Sequence, residues 1–402
     1  MTVAVTPGPW VRKHLFSTPF NSVVTTVLAT GLVYLVSALV QFLAGADFEI
    51  LRVNLALFMV GSFPRNQLWR VVVAVLCLAV SAGMASGLLL AAARQRANTA
   101  GLGFERPSGM TALVNVVRRF WPLLVFIIVC LALTTTIAPT LVTMAALALL
   151  SASRLLSQRL HRRQFGWIAV VVWPLAAYYI LSSSGLGWDD WGGLMLTIFL
   201  TVAGILFAFP LGMALAIGRR SSLPVLRWFS VSYIELIRGV PLITLLLMGV
   251  FALGFFLPLE LRPSHVTRVL VAITAFEAAY IAEVIRGGLR SVGIGQTEAA
   301  SSLGLSNWKT MRLIVLPQAL RATIPAMVGQ FISLFKDTTL VAVVGLGDIL
   351  AASAFANAQP DFNARGLARI TLPFVALAFW AGSYTMSREA GRLERSLGIG
   401  ER

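Results

Sequence analysis

The chain has 402 residues, of which 58% are hydrophobic and only 12% charged. A soluble domain carries about one charged residue in four, and several apolar runs here reach the roughly 20 residues that cross a bilayer. A water-soluble globule is therefore excluded, and an all-α, polytopic integral membrane protein is expected. The formal charge of +16 does not point to a nucleic-acid partner. Its basic residues sit in short stretches between apolar runs, as the positive-inside rule places them, and not on one folded face.

In chain order, the first apolar run is Val23–Leu43. It is too long for the apolar region of a signal peptide and lacks a convincing cleavage site, so a permanent first span is expected. Val71–Ala93 follows. Phe120–Ile137 and Thr140–Ser153 form a weaker pair: a tight hairpin broken near Pro139, or two segments lying partly in the interface. The remaining spans are Gly166–Leu181, Gly193–Ile217, Val231–Leu257, Val266–Ile285, Pro325–Val344 and Leu367–Tyr384. The bundle then has about 8–10 transmembrane helices, ten if the weak pair crosses and eight if it does not. Both counts leave the termini on one side. With both termini cytoplasmic, 23 basic residues lie inside and seven outside, and Arg238 and Lys336 remain within spans. That bias fixes the orientation. Ala44–Arg70, Trp188-Asp189-Asp190-Trp191 and Gly345–Gly366 then face outward. Cys77 and Cys130 lie in separate apolar runs, which predicts neither a disulfide nor a metal site.

The chain divides near Leu186. Residues 1–186 read as anchoring spans with an outward loop near 44–70, residues 187–390 as the functional core, and residues 391–402 as a cytoplasmic tail. The core holds the longest cytoplasmic loop between late spans, about residues 286–321. Thr297 is expected to cap a short helix with Glu298 in its first turn and with Ala299 and Ala300 on its surface. Gly304 suits the left-handed residue that ends such a helix. Ser306 can cap the next segment, Leu305, Trp308, Met311 and Val315 form an apolar stripe at helical spacing, and Pro317 should interrupt or kink the segment downstream of it.

The stretch Gly295 to Ser306, completed by Val315-Leu316-Pro317-Gln318-Ala319, resembles the EAA loop of ABC-importer membrane subunits. The spacing from Glu298-Ala299-Ala300 to Gly304, then Ile314 and Leu316-Pro317, matches throughout. Ala279–Gly288, Glu235–Leu242 and Phe335–Leu340 are similar to three further stretches of the polar amino acid permeases, with Thr339 replacing the usual Ser. These matches cover about 190 residues, from Trp191 to Tyr384. The amino-terminal half, with Arg52-Val53-Asn54-Leu55 and Phe63-Pro64, is similar to the long-form general L-amino-acid permease subunits.

What the resemblance implies is a type I ABC importer-like core in the C-terminal half of a multi-pass protein of the bacterial inner membrane. Glu298, Ala299, Ala300, Gly304 and Leu305 would contact a separate ABC ATPase. The other implied partners are a second permease subunit, expected to be a different chain, a periplasmic or extracellular amino-acid-binding protein, and the amino-acid substrate. ATP and Mg belong to the partner ATPase. This chain has no Gly-x-x-x-x-Gly-Lys-Ser/Thr phosphate loop, so no bound cofactor and no enzymatic activity of its own are expected. No metal-ligand cluster or nucleophile–base set appears, and His14, His161 and His265 are scattered at span ends.

A charge at mid-span costs about 2.5–3.5 kcal/mol, so such residues face a cavity or a partner. Lys336 and Asp337 lie near the middle of Pro325–Val344 and point about 100° apart as helical neighbours. A zwitterionic substrate needs a partner for each of its charges, and this pair could supply either. A structural ion network at the subunit interface is the alternative for the same two residues. Glu277 and Tyr280 share a face, and with Lys336, Asp337 and Thr338 they are the pathway candidates. Glu283 and Arg286 should form a local pair, as should Glu235 and Arg238. The competing function is a self-sufficient secondary transporter or channel using Lys336 and Asp337; an EAA loop has no purpose in such a protein.

Overall fold

The computed structural model describes residues 11, 14–99, 109–134, 136–159, 163–183, 185–256, 258–363 and 365–396. Arg12, Lys13, Arg106, His161, Arg162 and Arg402 lie outside them. The chain forms two compact units, Met1–Glu49 and Ile50–Arg402. The first carries helix α1 (Pro19–Gly45), whose Thr18 hydroxyl accepts from Asn21 N at 3.1 Å. Such a cap offsets one of the unpaired N–H groups at a helix start. Phe20, Val27, Leu28, Leu32 and Val33 are all exposed on it, as suits a helix that meets lipid.

The second unit opens on α2 (Glu49–Val60), a helix inside what was expected to be an outward loop. It buries Ile50, Leu51 and Phe58, and the Phe58 ring meets Phe374 edge-on at 5.2 Å. α3 (Leu68–Thr99) packs on α5 (Ala138–Arg159) and α6 (Arg163–Ser182). Gly83 and Gly87, one turn apart, allow this approach: a Cβ on either would lie 2.0 Å from the hydroxyl of Ser153 or Ser157. Small residues at such spacing are how helices come close in lipid. Arg70 is buried and donates to the carbonyls of Ile180 and Ser183 at 3.2 and 2.6 Å, satisfying the end of α6.

The weak pair consists of two helices whose break, between Leu133 and Ala138, lies next to Pro139. α4 (Gly109–Leu133) and α5 have 25 and 22 residues, and Pro139 itself lies in the first turn of α5. α4 kinks at Phe120, ahead of Pro122. It packs on α16 (Ala368–Ser396), where Trp121 meets Trp380 and Tyr384 at 5.3 and 5.8 Å and Arg119 pairs with Glu389.

α7 (Gly193–Gly218) leads to α8 (Pro224–Arg238) and then α9 (Leu242–Leu247), a π turn (Met248–Ala252) and α10 (Leu253–Phe256). The single span expected over Val231–Leu257 is broken: its two parts bend by 105° at Gly239–Pro241. Pro241 has no N–H to continue the ladder, and Gly239 ends α8. α11 (His265–Ser291) is central, packing on α7, α8, α9 and α14 (Leu316–Asp337). Asp189 of the Trp-Asp-Asp-Trp stretch accepts from Val266 N at 2.9 Å and His265 N at 3.3 Å, capping α11 from outside. The two tryptophans of that stretch pack with Tyr178 and Phe199.

α14 continues as a 3-10 turn (Thr338–Val344) that ends at Gly345 with φ of 87°. The segment after it, expected to be an outward loop, is not a plain loop either, since it contains α15 (Ile349–Asn357), capped by Asp348. Among the described residues six helices are long and apolar enough to cross a membrane, and a seventh span is formed if the bent pair counts as one.

Candidate functional site

The loop between α11 and α14 folds as α12 (Ile294–Ser302), α13 (Asn307–Thr310) and a π turn (Met311–Val315). The first cap is corrected: α12 begins at the Gly293 cap, so Thr297 lies inside it and its carbonyl accepts from the Ser301 hydroxyl at 3.0 Å. The helix end follows the expectation. Gly304 has φ of 74°, its N–H donates to Ser301 O at 2.9 Å, and Leu305 N donates to Ala300 O at 3.1 Å. Those two bonds form a Schellman motif. It turns Ala300 inward, only 1% exposed, so Glu298 and Ala299 share the surface but Ala300 does not.

Ser306 caps α13 by its backbone alone. Of the apolar stripe, Val315 is buried and Trp308 is exposed, because the π turn shifts the register between them. Pro317 follows directly on the π turn that interrupts the α pattern, inside a helical run from Asn307 to Val344, and stands in the first turn of α14. Gln318 ties the two helices, donating to Gln296 Oε1 at 3.3 Å and Ile314 O at 2.9 Å. Ile294, Leu303, Trp308 and Leu313 are exposed apolar residues of the same loop.

A second group lies between α11 and α14. Glu277 is fully buried and its Oε2 accepts from Gln330 Nε2 at 2.9 Å, while Oε1 has no hydrogen-bond partner among the described residues. Gln330 was missed in the sequence; its only signal is a long polar side chain among the apolar residues of α14. One turn beyond Glu277, Tyr280 stacks on Phe276 at 4.7 Å, and the Arg238 guanidinium lies over its ring at 5.4 Å. On α14 no ion pair joins Lys336 to Asp337. Lys336 is exposed, Asp337 accepts from the Ser333 hydroxyl at 3.3 Å, and buried Thr338 gives its hydroxyl to Phe335 O at 2.7 Å.

The third group is ionic. Arg286 and Glu283 pair as expected. Glu235 and Arg238 do not pair with each other: Glu235 takes Arg219 at 3.0 Å and Arg238 faces Glu283 at 3.6 Å. Three-residue spacing placed them on one face of α8, but charges on α7 and α11 lie closer.

Residues 208–395 match the family model described as the binding-protein-dependent transport system inner membrane component. The inner membrane amino-acid ABC transporter permease protein YhdY of Escherichia coli K12 is 32% identical over 97% of this chain and 93% of its own length. The glutamate/glutamine/aspartate/asparagine transport system permease protein BztC of Rhodobacter capsulatus is 34% identical over 96% of this chain and 93% of its own. A crystal structure of an amino acid ABC transporter with histidines aligns with 51% of this chain and 92% of that one, at 29% identity and a TM-score of 0.46.

Proposed function

Because the chain belongs to the permeases of amino-acid ABC transporters, we propose that it moves amino acids into the cytoplasm by alternating access, driven by a separate ATPase docked on the loop around Glu298. In this reading both termini are cytoplasmic in a bacterial inner membrane, residues 187–390 form the core, and residues 1–186 anchor it. A soluble binding protein delivers substrate from outside, and a second, different permease chain completes the pathway. ATP and Mg are held by the ATPase.

The observation that carries the coupling role is the shape of α12. Glu298 and Ala299 stand exposed on a short helix closed at Gly304, and Ile294, Leu303 and Trp308 of the same loop are also exposed. A helix that presents apolar groups and small side chains at a membrane edge suits insertion into a groove of a partner. For the pathway, Glu277 supports a polar contact inside the bundle, because a buried carboxylate with one oxygen unpaired is costly unless something else binds it. Tyr280, Lys336, Asp337 and Thr338 complete the proposed lining. Rocking of helices around such a site is the general scheme of alternating access.

Uptake of labelled amino acid and ATP hydrolysis in membranes carrying Glu298→Lys test the coupling. Loss of both binding-protein-stimulated hydrolysis and uptake is expected. Wild-type uptake in that variant would remove the docking role.

A further inference from the structure

One carboxylate joins three elements of the core. Glu283 on α11 accepts from Arg286 Nε and Nη2 at 2.9 and 2.5 Å on its own helix. It also accepts from Arg219 Nη1 at 2.8 Å at the end of α7, and Arg238 Nη1 at the end of α8 lies 3.6 Å away. Its side chain is 13% exposed. Arg219 uses its other nitrogen on Glu235 at 3.0 Å. Three guanidinium groups are thus gathered on two carboxylates, and Glu283 is the only one of the two that touches all three. Without it, three like charges would face each other at a half-buried helix end.

The arginines differ in what they hold. Arg219 and Arg286 make short, charge-assisted bonds; Arg219 binds the end of α7 to α11, and Arg286 fixes the Glu283 carboxylate on its own helix. Arg238 makes the longest contact, ends α8 at the 105° bend, and also lies over the Tyr280 ring at 5.4 Å. It therefore has two places to rest, one on Glu283 and one on an aromatic face. α11 runs unbroken from Glu277 past Tyr280 and Glu283 to Ser291, and α12 begins three residues later at Ile294. Glu283 therefore shares one continuous helix with Ser291, from which two extended residues lead into α12.

We propose that Glu283 is a positioning residue which passes movement of the Glu298 loop to Arg238 and the α8–α9 bend, and so sets the opening beside Tyr280. This rests on the coupling role proposed for Glu298. The like-charged gathering gives it leverage: a small shift of Glu283 changes its hold on two helix ends at once, that of α7 through Arg219 and that of α8 through Arg238.

The test uses the whole transporter, reconstituted with its ATPase and binding protein, and reads uptake per ATP hydrolysed beside the amount of ATPase that co-purifies. Glu283→Gln is expected to retain the ATPase but to lower uptake per ATP about tenfold, within the usual range of site-to-site coupling. Glu283→Asp should recover part of it. Arg238→Gln, which removes only the longest contact, should show the same drop in assembled complex. Wild-type uptake per ATP in both Glu283→Gln and Arg238→Gln would overturn the proposal, as would a loss in Glu283→Gln fully explained by missing complex while Arg238→Gln is unimpaired. Glu298→Lys run in parallel separates the two ideas. If it keeps both ATPase and uptake, the coupling role fails; if it loses the ATPase while the Glu283 and Arg238 variants transport normally, only the positioning role fails.

Discussion

Asn54 and Gln359, 305 positions apart, bind each other through both amides: Asn54 Nδ2 donates to Gln359 Oε1 at 3.1 Å, and Gln359 Nε2 donates to Asn54 Oδ1 at 2.6 Å. Asn54 also donates to Ile50 O at 3.1 Å and is buried. The pair fastens α2 to the segment following α15. Asn54→Leu leaves the Gln359 amide without its partner in a partly buried place, at a cost of about 1–3 kcal/mol. Replacing both residues by Leu should cost less than the sum of the two single changes, because the second removes the orphaned group. Thermal unfolding of purified protein in detergent measures all four corners; additive losses would mean the amides are not coupled.

Backbone meets backbone closely where α2 ends. A Cβ on Gly61 would lie 2.3 Å from Gly192 Cα, and one on Gly192 would lie 2.7 Å from Gly61 Cα. Gly193 N donates to Gly347 O at 2.7 Å in the same place. Gly61 also has φ of 61°, where a side chain adds about 1–2 kcal/mol of strain. Gly61→Ala should therefore cost about 3 kcal/mol or more from overlap and strain together. Gly31→Ala, where nothing lies within 4 Å, serves as the control. Folded yield and melting temperature report the difference, and equal values for the two variants would contradict the packing.

Asp348 gives the start of α15 a pH dependence. Burial pushes its carboxyl up to about 6, against partial relief from the backbone N–H groups of Ala351 and Leu350. Its Oδ1 accepts from Ala351 N at 2.9 Å, while Oδ2 has no partner among the described residues. The folded protein thus holds this proton in a range where the unfolded chain, near 3.8, has released it. Its contribution is complete below about pH 4 and is lost as pH rises through about 6, on the order of 3 kcal/mol. Asp348→Asn keeps a good helix cap and removes the titration. Melting temperatures from pH 4 to 7 should show the variant gaining on the wild type as pH rises; parallel curves would refute it.

Composition and run length disclosed the helical membrane class, because lipid leaves few alternatives for an apolar chain of this length. The Gly304 turn was legible too, since a left-handed residue is a local requirement. What depended on distant partners was hidden. Thr297 looked like a cap because its own sequence favours one, yet the helix starts at Gly293. Glu235 and Arg238 looked paired at helical spacing, but Arg219 and Glu283 come from other helices and win by proximity. Arg70 counted as an outward loop charge and instead closes the end of α6. Gln330 carried no motif at all and became visible only when α14 was laid against Glu277. Val231–Leu257 read as one span because its run is mostly apolar, yet it bends by 105°.

Gly304 allows the backbone of the loop proposed to dock the ATPase to be separated from its surface. Nothing lies within 4 Å of a Cβ built there, and φ is 74°, so a substitution meets strain but no clash. Asn tolerates this conformation far better than a β-branched residue does. Gly304→Asn should therefore keep the two Schellman bonds, while Gly304→Ala loses about 1 kcal/mol locally and Gly304→Val more. Uptake should fall in the order Gly, Asn, Ala, Val, with the melting temperature of the whole protein nearly unchanged because α12 is peripheral. If the turn itself is what the ATPase needs, Asn preserves co-purification and Val loses it. If instead Asn blocks uptake as fully as Val, the partner must touch the position directly, and the bare surface at Gly304 rather than its left-handed backbone is what the docking helix requires.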